Sequence, residues 1–147
     1  MMFTALIGCV WIASGIDKTI YFGDFMNVVA AHGVIRLGAG AIAFIPGAEV
    51  VVGLGVLALT HGGARLMILV ASASLLLLFS VYLYMIPKGT ISSVGCGCAM
   101  STLSALDRVA WWPWVRNATL GVCHLWLIVG LARGGGRTSD RLTSSVL

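Results

Sequence analysis

The sequence predicts an all-α integral membrane protein, a four-helix bundle with an interfacial segment before the last helix. Two numbers point there first: of 147 residues 59% are hydrophobic and only 10% are charged, where a soluble domain carries about a quarter charged residues. Mean hydropathy is +1.02. The third observation is spatial. Apolar runs recur along the chain and stop at charges, glycine or proline, and about 20 such residues cross the roughly 30 Å hydrocarbon core of a bilayer. The formal charge of +4 rests on scattered Lys and Arg rather than on a basic patch with interleaved aromatics. Nucleic acid is therefore excluded as a partner, and the cations read as flanks of membrane spans. The length suits one domain. Residues 1–133 form it, and 134–147, rich in Gly, Ser and Thr, read as a disordered cytoplasmic tail.

The first span covers Met1 to Ile16 and continues through Thr19-Ile20-Tyr21-Phe22 at the interface. A secretory signal is a poor alternative, since no Lys or Arg precedes the apolar run and Ala13-Ser14-Gly15 is weak as a cleavage site. Leu6-Ile7-Gly8-Cys9 resembles a lipoprotein processing box, but too little chain precedes it for a basic head and an apolar stretch. The second span is expected from Pro46, a residue tolerated in the first helical turn, to Thr60 before His61-Gly62-Gly63, with Val34 to Ile45 adding depth as a re-entrant or tilted segment. Leu66 to Ile86 is an uninterrupted apolar run between Arg65 and Pro87-Lys88 and forms the third span. The fourth runs from Trp114 to Ala132, with Trp111, Trp112 and Trp114 in the aromatic belt of the interface.

Four antiparallel passes bring one end of each span to a common face. Asp17 and Lys18 close the first helix, Glu49 opens the second, Cys96 and Cys98 follow the third, and Arg116 and Asn117 open the fourth. Ionisable groups in or near a bilayer are costly, which makes such a gathering a candidate site. Interfacial anchoring accounts equally well for Asp17 and Lys18. For Glu49 and Arg116, an ion pair joining two helices is the expected arrangement.

Gly95-Cys96-Gly97-Cys98 is the sharpest local feature. A disulfide across one intervening residue closes only if the chain bends, which Gly97 permits. So small a ring restricts the unfolded chain little and is strained, so it suits labile exchange better than stapling. Downstream, Met100, Leu103, Leu106 and Ala110 lie at helical spacing, predicting a short interfacial helix whose N-terminus would favour a Cys98 thiolate. Metal binding is the rival reading, but a closed zinc site needs four ligands and this segment offers two; no metal ligand set is assigned. His124 and Cys123 read as a hydrogen-bonded core histidine and a buried thiol, Cys9 as packing, and His32 and His61 carry no spacing signal.

Ser14-Gly15-Ile16-Asp17-Lys18, Ile45-Pro46-Gly47-Ala48-Glu49 leading into Gly53-Leu54-Gly55, Cys96-Gly97-Cys98 and Arg116-Asn117-Ala118-Thr119-Leu120 occur in one order along the chain. In that order they resemble the MauE-type methylamine-utilisation membrane proteins of the DoxX-like group, over roughly residues 4 to 132. Members commonly follow the cysteine pair with Phe-Gly, where this chain has Ala99-Met100. The resemblance implies extracytoplasmic thiol redox chemistry beside a thioredoxin-like partner, supporting disulfide formation and maturation of exported client proteins.

The expected mechanism has Cys96 and Cys98 cycling between dithiol and disulfide. Arg116 and Lys18 favour the thiolate, with Glu49, Asp17 and Asn117 supporting the geometry. A quinone is a chemically reasonable acceptor if electrons leave into the bilayer, although no residue identifies a pocket for one. The alternative is a non-catalytic scaffold or soft-metal-binding accessory protein. Charge does not orient the chain: Lys18, Arg36, Lys88, Arg108 and Arg116 oppose Arg65, Arg133, Arg137 and Arg141. The expected location is the cytoplasmic membrane with the cysteines outside, because labile disulfides persist in oxidising compartments.

Overall fold

The computed structural model describes residues 2–34, 38–59, 62–98 and 108–143. These form six helices: α1 (Met2–Ile20), α2 (Phe22–His32), α3 (Ala39–Ala58), α4 (Gly62–Met85), α5 (Lys88–Val94) and α6 (Trp112–Thr143). Four are long and apolar enough to cross a membrane, over Met2–Ile20, Gly40–Ala58, Gly63–Met85 and Trp112–Leu131. At 1.5 Å per residue each spans about 28 Å or more. The protein is a multi-pass membrane protein built as a four-helix bundle.

The distribution of side chains is that of a protein solvated by lipid. Leu77, Leu78, Tyr84, Val122, Leu125 and Trp126 all point outward and are more than 60% exposed. So large an apolar surface would not stay dispersed in water.

Several boundaries differ from the sequence expectation. The second span starts at Ala39, and Pro46 lies inside α3. Proline removes one N–H, which a soluble helix tolerates poorly, but transmembrane helices accept it where neighbouring helices pack closely. Here α1 provides that support: a Cβ on Gly15 would stand 2.7 Å from the Pro46 carbonyl oxygen, and one on Gly53 would stand 2.9 Å from the Gly8 carbonyl oxygen. Only glycine lets the two backbones approach this far, the small-residue packing typical of membrane helices. Part of the Val34 to Ile45 stretch thus adds depth to the second span as expected, by continuing its helix rather than by re-entering. The stretch's last seven residues are the opening turns of α3.

The chain turns at Tyr21 (φ −102°, ψ 40°) and continues as α2, eleven helical residues where the sequence predicts only an interfacial extension ending at Phe22. α6 begins at Trp112 because Pro113 fits its first turn. It extends to Thr143, beyond the expected exit at Gly134, since glycines keep their N–H groups and weaken a helix without ending it. The interfacial helix expected over Met100 to Ala110 falls mainly outside the described residues. A different short helix, α5, follows Pro87 and delivers the chain to the cysteines.

The largest core cluster joins Ile7, Trp11, Val56, Leu69, Leu76 and Leu127 from α1, α3, α4 and α6. Two smaller clusters, Phe25 with Val29 and Ile42, and Leu83 with Ile86, Ile91 and Cys96, occupy the cysteine end. A cavity lies among the three.

Candidate functional site

Gly95, Cys96, Gly97 and Cys98 leave the C-terminus of α5 as a loop in which both glycines adopt left-handed backbone (φ 89° and 75°). A side chain there would be strained whatever space it found. Gly97 also rests on α2, where an added Cβ would come within 3.3 Å of Val28 and 3.7 Å of Phe25. The loop is pinned on two further sides. His32, buried at the end of α2, sits 2.9 Å through Nε2 from the Gly95 carbonyl oxygen and 2.7 Å through Nδ1 from the Tyr82 hydroxyl of α4. A carbonyl only accepts, so Nε2 carries the proton and Tyr82 donates to Nδ1. Burial holds the His32 pKa below its ordinary value, with the Gly95 hydrogen bond opposing. On the other side the Ser14 hydroxyl donates to the Cys98 carbonyl at 3.3 Å.

Cys96 is buried and Cys98 half-buried, and both are thiols. The Arg116 Nη2 group donates to Cys98 Sγ at 3.0 Å. Asn117 holds that guanidinium in place: its Oδ1 accepts from Arg116 Nη2 at 2.9 Å and Nε at 3.2 Å, and its Nδ2 donates to the Ser80 hydroxyl at 3.1 Å. Ser80 in turn bonds the Leu76 carbonyl, so a chain of contacts runs from the α4 backbone to the sulfur.

The ion pair at this end is not the one expected. Glu49 pairs with Lys18, whose Nζ lies 2.9 Å from each carboxylate oxygen, rather than with Arg116. The glycine contact explains the choice: Gly15 brings α1 so close that its Cβ position is 3.1 Å from Glu49 Cβ, and Lys18 is one turn further along the same helix. Glu49 is also not in a first turn. Because α3 begins at Ala39, Glu49 stands at the midpoint of the Gly40–Ala58 span and is fully buried. Lys18 is no surface anchor either; it is 4% exposed, donates to Ser14 and lies 5.8 Å from the Phe25 ring centre. Asp17 is half-buried at the α1–α2 turn, where its carbonyl accepts from the Tyr21 N–H.

These groups border one cavity of about 240 Å³. Lys18, Glu49, Cys96, Cys98, Arg116 and Asn117 line it, and Asp17 does not. The rest of the wall is aromatic and aliphatic, with Trp11, Phe25, Phe79 and Tyr82 the largest contributors. As soft-metal donors the two cysteines stand as a pair; among the described residues no group of three or more His, Cys, Asp or Glu is placed to hold a metal.

Five of the six predicted residues other than Asp17 converge because they lie on helix ends, and the sixth, Glu49, is reached from mid-span by Lys18. Ser14, His32 and Tyr82 were not foreseen as site residues. Ser14 stood within a quoted motif, one turn before Lys18, which was a usable signal. His32 and Tyr82 are 50 residues apart and gave none. Cys123 and His124 are buried in the core as expected, while Cys9 faces outward from α1 instead of packing inside.

A family model described as methylamine utilisation protein MauE matches residues 1–130. The chain belongs to the MauE family. No curated protein and no solved structure gives a significant match. The matched residues include every residue that lines the cavity.

Proposed function

We propose that this MauE-family chain is a membrane accessory protein of methylamine utilisation that works by thiol–disulfide exchange through Cys96 and Cys98. The observation that carries the reading is the Arg116 guanidinium bonded to Cys98 Sγ and fixed from behind by Asn117. A cation donating to sulfur favours thiolate over thiol, and thiolate is both nucleophile and leaving group in exchange. Cys98 is the accessible sulfur and Cys96 the buried one, which supports assigning the mixed disulfide to Cys98.

In the direction of disulfide formation, one thiolate of a thioredoxin-like partner attacks Cys98 of the Cys96–Cys98 disulfide, and Cys96 leaves as thiolate. The partner's second thiolate then attacks the partner sulfur joined to Cys98. Cys98 leaves as thiolate into the Arg116 hydrogen bond. The partner gains a disulfide, this chain keeps a dithiol, and the partner passes its disulfide to an exported client. The cysteine face is extracytoplasmic in this reading, in the cytoplasmic membrane of the cell, with both termini inside.

Cys96→Ser and Cys98→Ser each abolish client maturation while the protein still inserts and folds, because so small a ring contributes little stability. Cys96→Ser accumulates a mixed disulfide through Cys98, seen on non-reducing gels as a shifted band that collapses on reduction. Cys9→Ala and Cys123→Ala keep activity. Normal maturation by both serine variants would replace exchange with the scaffold reading.

A further inference from the structure

The cavity beside Cys98 has a shape and lining that the exchange reading leaves unused. Exchange with a protein partner needs only an accessible sulfur at the membrane face, whereas this space runs inward from the sulfur between the helices. Its wall is largely apolar and aromatic, with Trp11 and Phe79, ring centres 5.7 Å apart, and Phe25 at the cysteine end, while the Lys18–Glu49 pair also borders it. At about 240 Å³ it exceeds the roughly 150 Å³ that holds a benzene ring and falls short of the 300 Å³ or more typical of drug-sized ligands. A single substituted ring fits, and a peptide segment does not.

The lining also fixes the route of entry. Leu78 borders the cavity yet is 65% exposed on the lipid-facing side of α4. It lies seven residues before the end of that helix, about 10 Å below the cysteine end. A cavity-lining side chain that faces lipid points to entry of the occupant from the bilayer. Besides the Lys18–Glu49 pair, the cavity's polar lining is the Ser14 hydroxyl, the Arg116 guanidinium, the Asn117 amide and both cysteine sulfurs. An occupant that is apolar and membrane-soluble, one ring in size, and able to accept hydrogen bonds from a cation beside a dithiol is a quinone.

Resting on the exchange reading, we infer that this cavity takes the head of a lipid-soluble quinone, which reoxidises the Cys96–Cys98 dithiol. The pair, a Cys96 thiol and a Cys98 thiolate, loses two electrons and one proton as the S–S bond forms. The quinone takes up the two electrons, that proton and a second proton from water at the membrane face, and departs as hydroquinone. Arg116 serves both halves of this step through its charge, holding Cys98 as thiolate and stabilising a nearby quinone oxygen that gains negative charge on reduction. Electrons then flow from partner dithiol to chain to bilayer, which gives the exchange its direction.

The test uses the full chain in lipid nanodiscs, reduced and freed of reductant, and mixed with decylubiquinone, whose fully substituted ring gives thiols no carbon to add to. The expected result is one quinone reduced per chain, with loss of alkylatable thiol at Cys96 and Cys98 by peptide mass spectrometry. Leu78→Trp, which blocks that entry from the lipid side without entering the core, slows quinone reduction by about tenfold, equivalent to about 1.4 kcal/mol, at an unchanged melting temperature. Quinone reduction that is equally fast in Leu78→Trp overturns the cavity as the site. Oxidation of the pair by oxidised glutathione but not by the quinone overturns this inference and leaves exchange standing. A pair that neither reagent oxidises overturns both.

Discussion

Two buried polar networks cross this bundle, and they are built to opposite ends. In the middle, Trp11 Nε1 donates to Ser72 Oγ at 2.8 Å, Ser72 donates to His124 Nε2 at 2.7 Å, and His124 Nδ1 donates to the Leu120 carbonyl at 2.7 Å. Every member is uncharged, and the chain closes on backbone, tying α1, α4 and α6 together. At the cysteine end, charged groups replace neutral ones: Lys18 and Glu49 pair across α1 and α3, and the Asn117–Arg116 chain ends on a sulfur that borders an open cavity. A network that terminates on a carbonyl has satisfied its last donor and can only hold helices together. One that terminates on a thiol beside open space leaves a reactive atom where a ligand or partner can reach it. The first is glue and the second is a site, although both are polar and buried.

The comparison breaks most sharply at Glu49. Glu49→Gln leaves the Lys18 ammonium buried without a counter-charge, at a cost of about 3–5 kcal/mol. Asp24→Asn, on the exposed face of α2, changes stability by about 0.5 kcal/mol or less. Thermal unfolding in detergent separates them, and the double variant Lys18→Met with Glu49→Gln recovers most of the loss. Equal melting temperatures for the two single variants would remove the buried pair from the account.

Arg116→Gln acts on reactivity before stability. An opposite charge at this distance moves a titrating group by about 1–3 pH units, so Cys98 alkylation near neutrality slows by about tenfold or more and its rate profile moves to higher pH. Ser72→Ala gives the mirror image. It removes two hydrogen bonds of the central network for about 0.6–2 kcal/mol, the usual worth of such bonds between membrane helices, and leaves the Cys98 alkylation profile unmoved. A shifted profile in Ser72→Ala would mean that the two networks are coupled.

The smallest effect belongs to His32, which anchors the cysteine loop. Burial lowers its pKa in the folded protein, so between that value and the ordinary one near 6.5 the unfolded chain binds more protons. Stability therefore falls as the pH drops below the ordinary value, and levels out once His32 protonates in the fold. Melting between pH 7.5 and 5.5 shows this slope (about one histidine's worth), and His32→Gln flattens it.

Much of the fold was legible because bilayer thickness leaves few choices. Leu66 to Ile86 could only be a span, and its counterpart α4 covers Gly62–Met85. The convergence of Cys96, Cys98, Arg116 and Lys18 followed from antiparallel passage alone. What the sequence did not show depends on contacts between distant residues. Pro46 looked like a helix start because local rules make it one, and only the approach of Gly15 shows why it sits within α3. The same approach decides that Glu49 meets Lys18 and not Arg116. The shelf made by α2, and His32's hold on Gly95, join segments 63 residues apart with no periodic pattern to announce them.

The position of Glu49 also bears on how the chain is made. An acidic residue at the centre of a lone transmembrane helix is expensive to insert, about 2.5–3.5 kcal/mol on translocon scales and more by other measures. Its counter-charge is on α1, the preceding membrane span, already synthesised and already carrying the glycines that fit it to α3. The second span is therefore best released into lipid as a hairpin with the first, the ammonium of one neutralising the carboxylate of the other at the moment of insertion. A chain lacking Lys18 would face that barrier during synthesis, so its shortfall would be counted first in copies per membrane, before any activity could be assayed.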